Sequence, residues 1–177
     1  MLFRYAGNRK GWHVCIRCDG HLHIDQHLAI VGVGDYIYDV AIGAQDFTDQ
    51  MTILTHGRPH GMSPEVLEQV HQRGINIIET KNKAHIGEKT DLLGFEMEDG
   101  SKLYFDGFFV DEGLQANTAF LDGWNYQKDD EGLIIINEDA QLLDARGVPI
   151  PGLFAAGDIV SGTRNLIATA FALGQNA

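Results

Sequence analysis

The sequence predicts an α/β protein built on a parallel, doubly wound sheet. A short apolar run from Leu28 to Val31 ends in Gly32-Val33-Gly34, as a buried parallel strand does when it turns sharply into a helix. Apolar residues recur at helical spacing from Ile37 to Phe47, with Asp35 placed to cap the helix, and Met51 to Thr55 is a second apolar run. Strand, glycine turn, helix and strand within about 30 residues make a βαβ unit.

The same alternation continues along the chain. Ser63-Pro64 favours a helix start, because serine caps the first turn and proline is compatible with it, and Gly74 favours its end. The next predicted strand is Ile75 to Ile78. We therefore expect a second helix and a third strand to extend the sheet.

An antiparallel insert follows. Segments 92–97 and 102–105 are apolar and flank Asp99-Gly100, a dipeptide typical of hairpins. A last apolar strand at 108–110 completes the set. Residues 11–112 are thus predicted to form one doubly wound domain that carries an antiparallel insert.

Residues 113–177 differ in kind. The predicted elements are a strand at 132–136, a loop at 147–151, a buried strand at 153–158 and a buried, alanine-rich helix at 165–173. Such an apolar strand and helix need a sheet to pack on, and too little of one is predicted here. We expect this part to be an incomplete second domain.

Composition and charge narrow the function. The 177 residues include 13 Lys and Arg against 25 Asp and Glu, for a formal net charge of −12. An acidic chain is repelled by phosphate backbones and anionic lipids, so nucleic acid and membrane are excluded as partners. No apolar stretch approaches the roughly 20 residues of a spanning helix, and no signal-peptide pattern opens the sequence. We expect a cytoplasmic protein.

The two cysteines form the first candidate site, in Cys15-Ile16-Arg17-Cys18-Asp19-Gly20. A Cys-x-x-Cys pair can close a small disulfide, and positive charge such as that of Arg17 favours the thiolate. Asp19 is placed to give and take the proton that a leaving thiol needs. The motif therefore predicts thiol–disulfide chemistry.

Two other interpretations of the cysteine pair stay open. Cys15 and Cys18 can be small buried apolar residues with no chemistry. They can also bind zinc with His21, His23 or His27, although the usual spacing of a zinc finger is missing.

A dinucleotide fingerprint is the second candidate site. In Gly32-Val33-Gly34-Asp35-Tyr36-Ile37 the two glycines permit a tight turn and the approach of a pyrophosphate to a helix N-terminus. Gly32, Gly34 and Asp35 are therefore candidate ligands of a nicotinamide nucleotide in a Rossmann-like domain. The third small position is filled by the bulky Ile37, so a retained scaffold is an equal alternative to a working nucleotide site.

The specificity position after the second strand is also atypical. Thr55-His56-Gly57 offers no acidic residue for a ribose 2′-hydroxyl. Arg58 favours a 2′-phosphate, and hence NADPH, as the nucleotide.

The third candidate site is Gly157-Asp158, followed by Arg164-Asn165-Leu166 at a predicted helix start. An aspartate at the carboxyl end of a strand can hydrogen-bond a ligand hydroxyl, and a helix N-terminus favours an anion or an electron-rich ring edge. A Gly-Asp pair is also a common structural turn, and that interpretation stays open.

In this order the three motifs resemble the low-molecular-weight thioredoxin reductase family of FAD-dependent pyridine nucleotide-disulfide oxidoreductases. The matching stretches are Cys15–Gly20, Leu28–Ala41, 106–120 and 151–177. The resemblance implies a pyridine-nucleotide-type domain at 11–112 and the C-terminal part of an FAD-binding domain at 113–177. It also implies that this chain is a fragment of such a protein. The fragment would lack the N-terminal FAD segment, and we do not expect it to be active alone.

The resemblance also implies residue roles. Cys18 would face the flavin, Cys15 would attack the substrate disulfide, and Asp19 would carry the proton. The residues implied to hold FAD are Gly157 and Asp158 at the ribityl chain and Arg164, Asn165 and Leu166 at the ring. When the protein is full length, a homodimer is expected.

The resemblance implies that electrons pass from FAD through Cys15–Cys18 to a thioredoxin-like protein or a small-molecule disulfide. Ile37 and Thr55-His56-Gly57 depart from the family pattern for NADPH use. They favour branches that take electrons from ferredoxin or that oxidise small dithiols, so NADPH, NADH and ferredoxin stay open as donors. A non-catalytic scaffold is the remaining alternative.

Overall fold

The computed structural model describes residues 3–113, 115–163 and 166–177, with the side chain of residue 3 left out. The chain divides into two compact units, Met1–Gly113 and Leu114–Ala177. Among the described residues, no helix has both the length and the apolar character needed to cross a bilayer.

The described residues of the first unit form eight strands and three α-helices. The strands are β1 (Trp12–His13), β2 (Leu28–Val31), β3 (Met51–Leu54), β4 (Asn76–Ile78), β5 (Asn82–Glu88), β6 (Asp91–Met97), β7 (Lys102–Tyr104) and β8 (Gly107–Val110). The helices are α1 (Ile16–Asp19), α2 (Tyr36–Ala44) and α3 (Pro64–Gln72), and 3₁₀ turns lie at Phe3–Tyr5 and Gly20–His23.

A five-stranded parallel sheet confirms the predicted fold class. Its order is β1-β8-β2-β3-β4, and every pairing in it is parallel. On the central strand β2, Ile30 lies beside Ile53 of β3 on one side and Phe109 of β8 on the other. The carboxyl ends of β2, β3 and β8 therefore meet at one edge, where ligands bind in open α/β sheets.

The antiparallel insert is a second sheet of order β5-β6-β7. The hairpin predicted around Asp99-Gly100 joins β6 to β7, and Gly100 adopts a φ of +84° that a residue without a side chain tolerates best. Strand β5 was not predicted, because its residues are mostly exposed and polar and show no apolar alternation.

Two apolar clusters cover the two faces of the parallel sheet. On the helical face, Ile30 and Ile53 pack with Ile37 of α2 and Val70 of α3. On the other face, residues of the insert and of the 3₁₀ turn at Phe3–Tyr5 pack on the sheet; the cluster includes Tyr5, Ala29, Leu54, Phe95, Met97 and Phe108. Alternation along each strand divides its side chains between the two clusters.

The helix boundaries follow the predicted signals in part. Ser63 Oγ accepts from the Val66 N–H at 3.4 Å and so caps α3, with Pro64 in the first turn, and Gly74 follows the helix with a φ of +68°. Asp35 occupies the cap position of α2, but its side chain does not cap that helix. Its Oδ1 accepts instead from the Ser63 N–H at 2.7 Å.

The second unit corrects several predictions. Its described residues, 115–163 and 166–177, form a 3₁₀ turn (Ala119–Leu121), two antiparallel strands, β9 (Gln141–Leu143) and β10 (Pro149–Phe154), and helix α4 (Ile167–Gly174). Residues 132–136 form only isolated bridges, Ile134 with Val160 and with Lys128 and Ile136 with Leu142. Strand β10 begins inside the predicted loop 147–151, because it pairs with β9 across a turn closed by Asp144 and Val148.

The predicted burial of the last strand and helix is also wrong for this chain. Strand β10 is largely exposed, and α4 leaves Ile167 79% and Phe171 74% exposed. The unit has a small core, which consists of Ile134, Leu142, Ala155 and Val160. A core of this size cannot cover both faces of α4.

Candidate functional site

Cys15 and Cys18 are joined by a disulfide at the start of α1, with an S–S distance of 2.06 Å and Cα atoms 5.3 Å apart. Cys15 is the N-cap of this helical turn, and its carbonyl accepts from the N–H groups of Cys18 and Asp19, both at 3.1 Å. The Cys18 N–H also lies 3.2 Å from Cys15 Sγ and donates to it. Cys15 is half-buried and Cys18 is exposed.

Asp19 follows Cys18 directly and contacts a buried histidine. Its Oδ2 lies 2.9 Å from His13 Nδ1. The Asp19 side chain is 38% exposed, whereas that of His13 is only 2% exposed. The carboxylate therefore stands between solvent, the disulfide-bearing turn and a buried imidazole, a suitable place for a group that exchanges protons.

The chain of polar contacts continues inward. His13 Nε2 lies 3.5 Å from His23 Nε2, and His23 Nδ1 lies 3.0 Å from Gln26 Oε1. Both imidazoles pack on Phe109 of β8, His13 stacked at 5.3 Å between ring centroids and His23 edge-on at 5.8 Å. Burial lowers the pKa of His23 below its usual value, and the Gln26 hydrogen bond only partly opposes that shift.

His13 is a candidate functional residue that sequence reasoning missed. His13 lies two residues before Cys15, and this closeness in sequence is the one feature that could have identified it as a candidate. Its burial, however, depends on the parallel pairing of β1 with β8, where His13 is opposite Phe109. A two-residue strand and a partner so distant in sequence leave no local pattern to read.

The geometry does not favour the zinc alternative. The two sulfurs are bonded to each other, and within the described ranges no group of three His, Cys, Asp or Glu side chains is arranged to hold a metal ion. His21 is exposed, and His27 Nε2 lies 3.1 Å from Thr52 Oγ1. His23 is held by Gln26 and His13 rather than turned towards the sulfurs.

The glycine turn of the fingerprint is covered by this chain's own backbone. The Gly34 N–H donates to the His60 carbonyl at 2.8 Å, and Asp35 binds the Ser63 N–H. A Cβ on Gly61 would lie 3.7 Å from the Gly34 nitrogen, so segment 60–63 lies directly on the turn. A pyrophosphate bound there would compete with this segment for the Gly34 N–H.

The absence of a side chain at Gly32 explains why the bulky Ile37 is tolerated at the third position of the fingerprint. Ile37 is fully buried, and a Cβ added to Gly32 would clash with the Ile37 side chain and with the Asp111 carbonyl. Gly32 thus provides the close helix–strand approach that a small residue at position 37 would otherwise provide.

Arg58 is already engaged by a carboxylate. Its guanidinium makes two contacts with Glu112, Nη1 to Oε2 at 2.7 Å and Nη2 to Oε1 at 2.9 Å, and Nε donates to the Thr55 carbonyl at 3.2 Å. A phosphate would bind Arg58 with the same bidentate geometry. A 2′-phosphate must therefore compete with Glu112 for Arg58.

A cavity of about 380 Å³ opens on the insert side of the parallel sheet. Its walls are mainly apolar and include Val31 and Val110 at the carboxyl ends of β2 and β8, with His56 and Glu112 also lining it. At this edge, space is thus left on the insert side, whereas segment 60–63 covers the glycine turn.

The second unit contains the predicted flavin residues. Gly157 follows β10 with a φ of +85°, and a Cβ there would lie 3.6 Å from that of Ala170 in α4. Asp158 is exposed, and its carboxylate has no partner among the described residues. Leu166 is the N-cap of α4 and leaves the first turn without a side-chain cap. Arg164 and Asn165, the other two predicted residues, lie outside the described residues.

These features fit one part of a flavin site. A free carboxylate after a strand can accept hydrogen bonds from ribityl hydroxyls, and an uncapped helix start offers N–H groups to an electron-rich ring edge. The fit concerns Gly157, Asp158 and Leu166 only.

These features define the class of the protein. It has a Rossmann-like α/β domain, with a doubly wound parallel sheet and a glycine turn, and this domain carries a Cys-x-x-Cys disulfide. More narrowly, the chain belongs to the pyridine nucleotide-disulphide oxidoreductase family, whose model matches residues 7–174.

Curated relatives match over nearly the whole chain. The chain is 26% identical over 178 residues to a component of the alkyl hydroperoxide reductase of Staphylococcus aureus (strain MRSA252), covering 95% of the chain and 33% of that relative. It is 28% identical over 175 residues to an NADH dehydrogenase of Bacillus subtilis (strain 168), with the same coverage. The chain thus spans about a third of the length of the curated relatives it matches.

Solved structures agree on the fold. The thioredoxin reductase of T. acidophilum is 25% identical with a TM-score of 0.62, covering 99% of this chain and 57% of that one. The atypical thioredoxin reductase TRi of Desulfovibrio vulgaris Hildenborough is 25% identical with a TM-score of 0.57, covering 95% and 54%. The thioredoxin reductase of Streptococcus pyogenes MGAS5005, at 24% identity and a TM-score of 0.80 over 95% and 55%, shows the shared fold.

The lowered pKa of His23 predicts a pH-dependent stability. Between that lowered value and about 6.5 the unfolded chain binds more protons than the folded one, so the free energy of unfolding falls as pH drops from about 7.5 to about 5.5. Urea unfolding of the oxidised chain measures it. His23→Gln should flatten this slope, whereas His21→Gln, at an exposed position, should keep it. Equal slopes in wild type and His23→Gln would contradict the prediction.

Proposed function

We propose that this chain carries the redox-active disulfide and part of the flavin site of a flavin-dependent disulfide oxidoreductase. The proposal rests mainly on the Cys15–Cys18 disulfide, which lies on a helical turn with Asp19 next to Cys18. Electrons would leave the pair by thiol–disulfide exchange with a thioredoxin-like protein or a small-molecule disulfide. Thioredoxin reductases among the similar structures support this substrate class.

Cys15 is the proposed attacking thiol. In the reduced pair, the Cys18 N–H that donates to Cys15 Sγ would stabilise a Cys15 thiolate. The exposed Arg17 adds positive charge on the same turn. Asp19, next to Cys18, would supply and recover the proton of the sulfur that leaves.

Gly157, Asp158 and Leu166 are the proposed contacts to FAD in this chain, together with Arg164 and Asn165 from the family resemblance. When bound, FAD supplies the electron pair that reduces the disulfide. The exposed Asp158 carboxylate would bind hydroxyls of the ribityl chain. The uncapped start of α4 would favour negative charge on the ring.

We propose that the electron donor is not NADPH bound at the glycine turn. Segment 60–63 takes the Gly34 N–H, and Glu112 takes the guanidinium of Arg58. Both contacts use groups that a dinucleotide phosphate would need. A protein donor such as ferredoxin, or a small dithiol whose oxidation reduces the flavin, is consistent with a closed turn.

We further propose a cytoplasmic homodimer for the full-length protein. The acidic composition and the two cysteines, both within one motif, support a chain that works among reduced thiols.

Nucleotide binding tests the proposed donor. Isothermal titration of the chain with NADPH and with NADH should give no dissociation constant below about 1 mM, an affinity of about −4 kcal/mol. Glu112→Gln, which releases Arg58, should improve binding of NADPH but not of NADH, because only NADPH has a 2′-phosphate. Micromolar binding of NADPH to the wild-type chain would contradict the proposal.

Covalent trapping tests the proposed function itself. After reduction, Cys18→Ser keeps Cys15 and the main-chain N–H at position 18, but has no second thiol to resolve a mixed disulfide. It should therefore accumulate a stable adduct, measured by intact mass, with a thioredoxin-like protein whose second cysteine is replaced by serine and whose remaining cysteine is activated as a mixed disulfide with a small thiol that leaves. Cys15→Ser is the matched control and should react about tenfold more slowly, because Cys18 lacks that N–H contact. Equal rates would overturn the role of Cys15, and no adduct with either variant would overturn the function.

A further inference from the structure

A buried pair of histidines, His13 and His23, lies behind the disulfide-bearing turn, and the proposed electron path does not use it. His13 Nδ1 faces Asp19 Oδ2 at 2.9 Å, and its Nε2 faces His23 Nε2 at 3.5 Å. His23 in turn contacts Gln26 Oε1 at 3.0 Å. The four side chains form one continuous line from partly exposed Asp19, through the two buried imidazoles, to half-buried Gln26.

The hydrogen-bonding capacity of these groups fixes how many protons the line holds. Gln26 Oε1 can only accept, so His23 Nδ1 carries a proton and neutral His23 leaves its Nε2 bare. The Nε2 of His13 must then donate to His23. Between His13 Nδ1 and the Asp19 carboxyl there is consequently room for one further proton, which belongs to both groups.

Without that further proton the line is incomplete. Neutral His13 has one N–H, which can serve either Asp19 or His23 but not both. The other nitrogen would then face a lone pair inside a site where burial is nearly complete, since His13 is 4% and His23 0% exposed. Unpaired polar atoms are costly there, so the line favours the state that holds the proton.

We propose that Asp19, His13 and His23 form a proton store that serves thiol–disulfide exchange at Cys15–Cys18. This deepens the proposed function and rests on it in one respect, that the cysteine pair is redox-active. His13 and His23 are positioning residues in this scheme, since they act through Asp19.

The exchange step conserves atoms and electrons. An incoming thiolate of a dithiol reductant forms a bond with Cys15 Sγ, the Cys15–Cys18 bond breaks, and Cys18 leaves with the electron pair of that bond. The stored proton moves from the Asp19 carboxyl to the Cys18 sulfur. Asp19 remains as a carboxylate that faces the unprotonated Nδ1 of His13, and it regains a proton from solvent through its exposed side.

Other groups facing the line must be included in its pH dependence. Arg9 lowers the pKa of His23 and Asp106 raises it, and both effects are smaller than the effect of burial. Phe109 supplies the apolar surface under both rings, and Gly107 leaves room for the ring of His23.

Alkylation of the reduced chain tests the proton store without flavin, donor or partner. The rate with iodoacetamide is followed from about pH 5 to pH 9, with each cysteine read by peptide mass. His13→Asn keeps a donor towards Asp19 but cannot hold the shared proton. It leaves the Asp19 charge uncompensated beside Cys18, so the rate at pH 7 should fall about 3- to 10-fold, and the part of the profile below pH 8 should change shape.

Two comparisons make the result decisive. His21→Asn, at an exposed position on the same 3₁₀ turn as His23, should keep the wild-type profile. Nitrogen-15 spectra of the wild-type imidazoles near pH 7 should show a proton on His13 Nε2 and on His23 Nδ1 in both the oxidised and the reduced chain, because Asp19 regains its proton from solvent after each exchange. This readout needs no variant to fold. A His13 Nε2 without a proton, or a wild-type profile in folded His13→Asn, would overturn the proton store and leave the trapping experiment unaffected. An altered profile with no trapped adduct would overturn the proposed function instead.

Discussion

The parallel pairing of β8 with both β1 and β2 organises the first unit and its candidate site. Phe108 points into the cluster beneath the antiparallel insert, and Phe109 points to the other face, where His13 and His23 pack on it. The start of the strand, Gly107, leaves room for the His23 ring. Just past its end, the Asp111 N–H donates to the Val31 carbonyl at 2.9 Å and so fixes the turn that follows β2. One strand thus supports both the disulfide-bearing turn and the glycine turn.

Local signals in the sequence were enough for the elements that depend on local physics. The apolar strand of β2 and the capped start of α3 were predicted because burial and capping leave period and composition in nearby residues. Strand β1 left no such signal, since two residues carry no period. Helix α4 has the composition of a buried helix and yet is exposed, because composition reports what a helix can pack against and not what lies beside it.

The candidate site was predictable to a similar extent. The cysteine pair and Asp19 are adjacent in sequence, so their chemistry could be inferred from spacing alone. The contact of Asp19 with His13 required β1 to pair with β8, and the cover on the glycine turn required segment 60–63 to fold back onto Gly34. Both are long-range consequences of the fold. They change the surroundings of the motifs: one places a buried histidine against Asp19, and the other engages the Gly34 N–H that a dinucleotide phosphate would use.

The central claim is that Cys15–Cys18 is a reversible redox pair rather than a static cross-link. Its most direct test equilibrates the chain with mixtures of oxidised and reduced thioredoxin-like protein, quenches with acid, and counts the alkylated cysteines by intact mass. We predict that the chain passes reversibly between zero and two alkylated cysteines, and that the same end point is reached from the oxidised and from the reduced side. A disulfide that stays intact across all mixtures, or a reduced pair that never reforms it, would contradict this account.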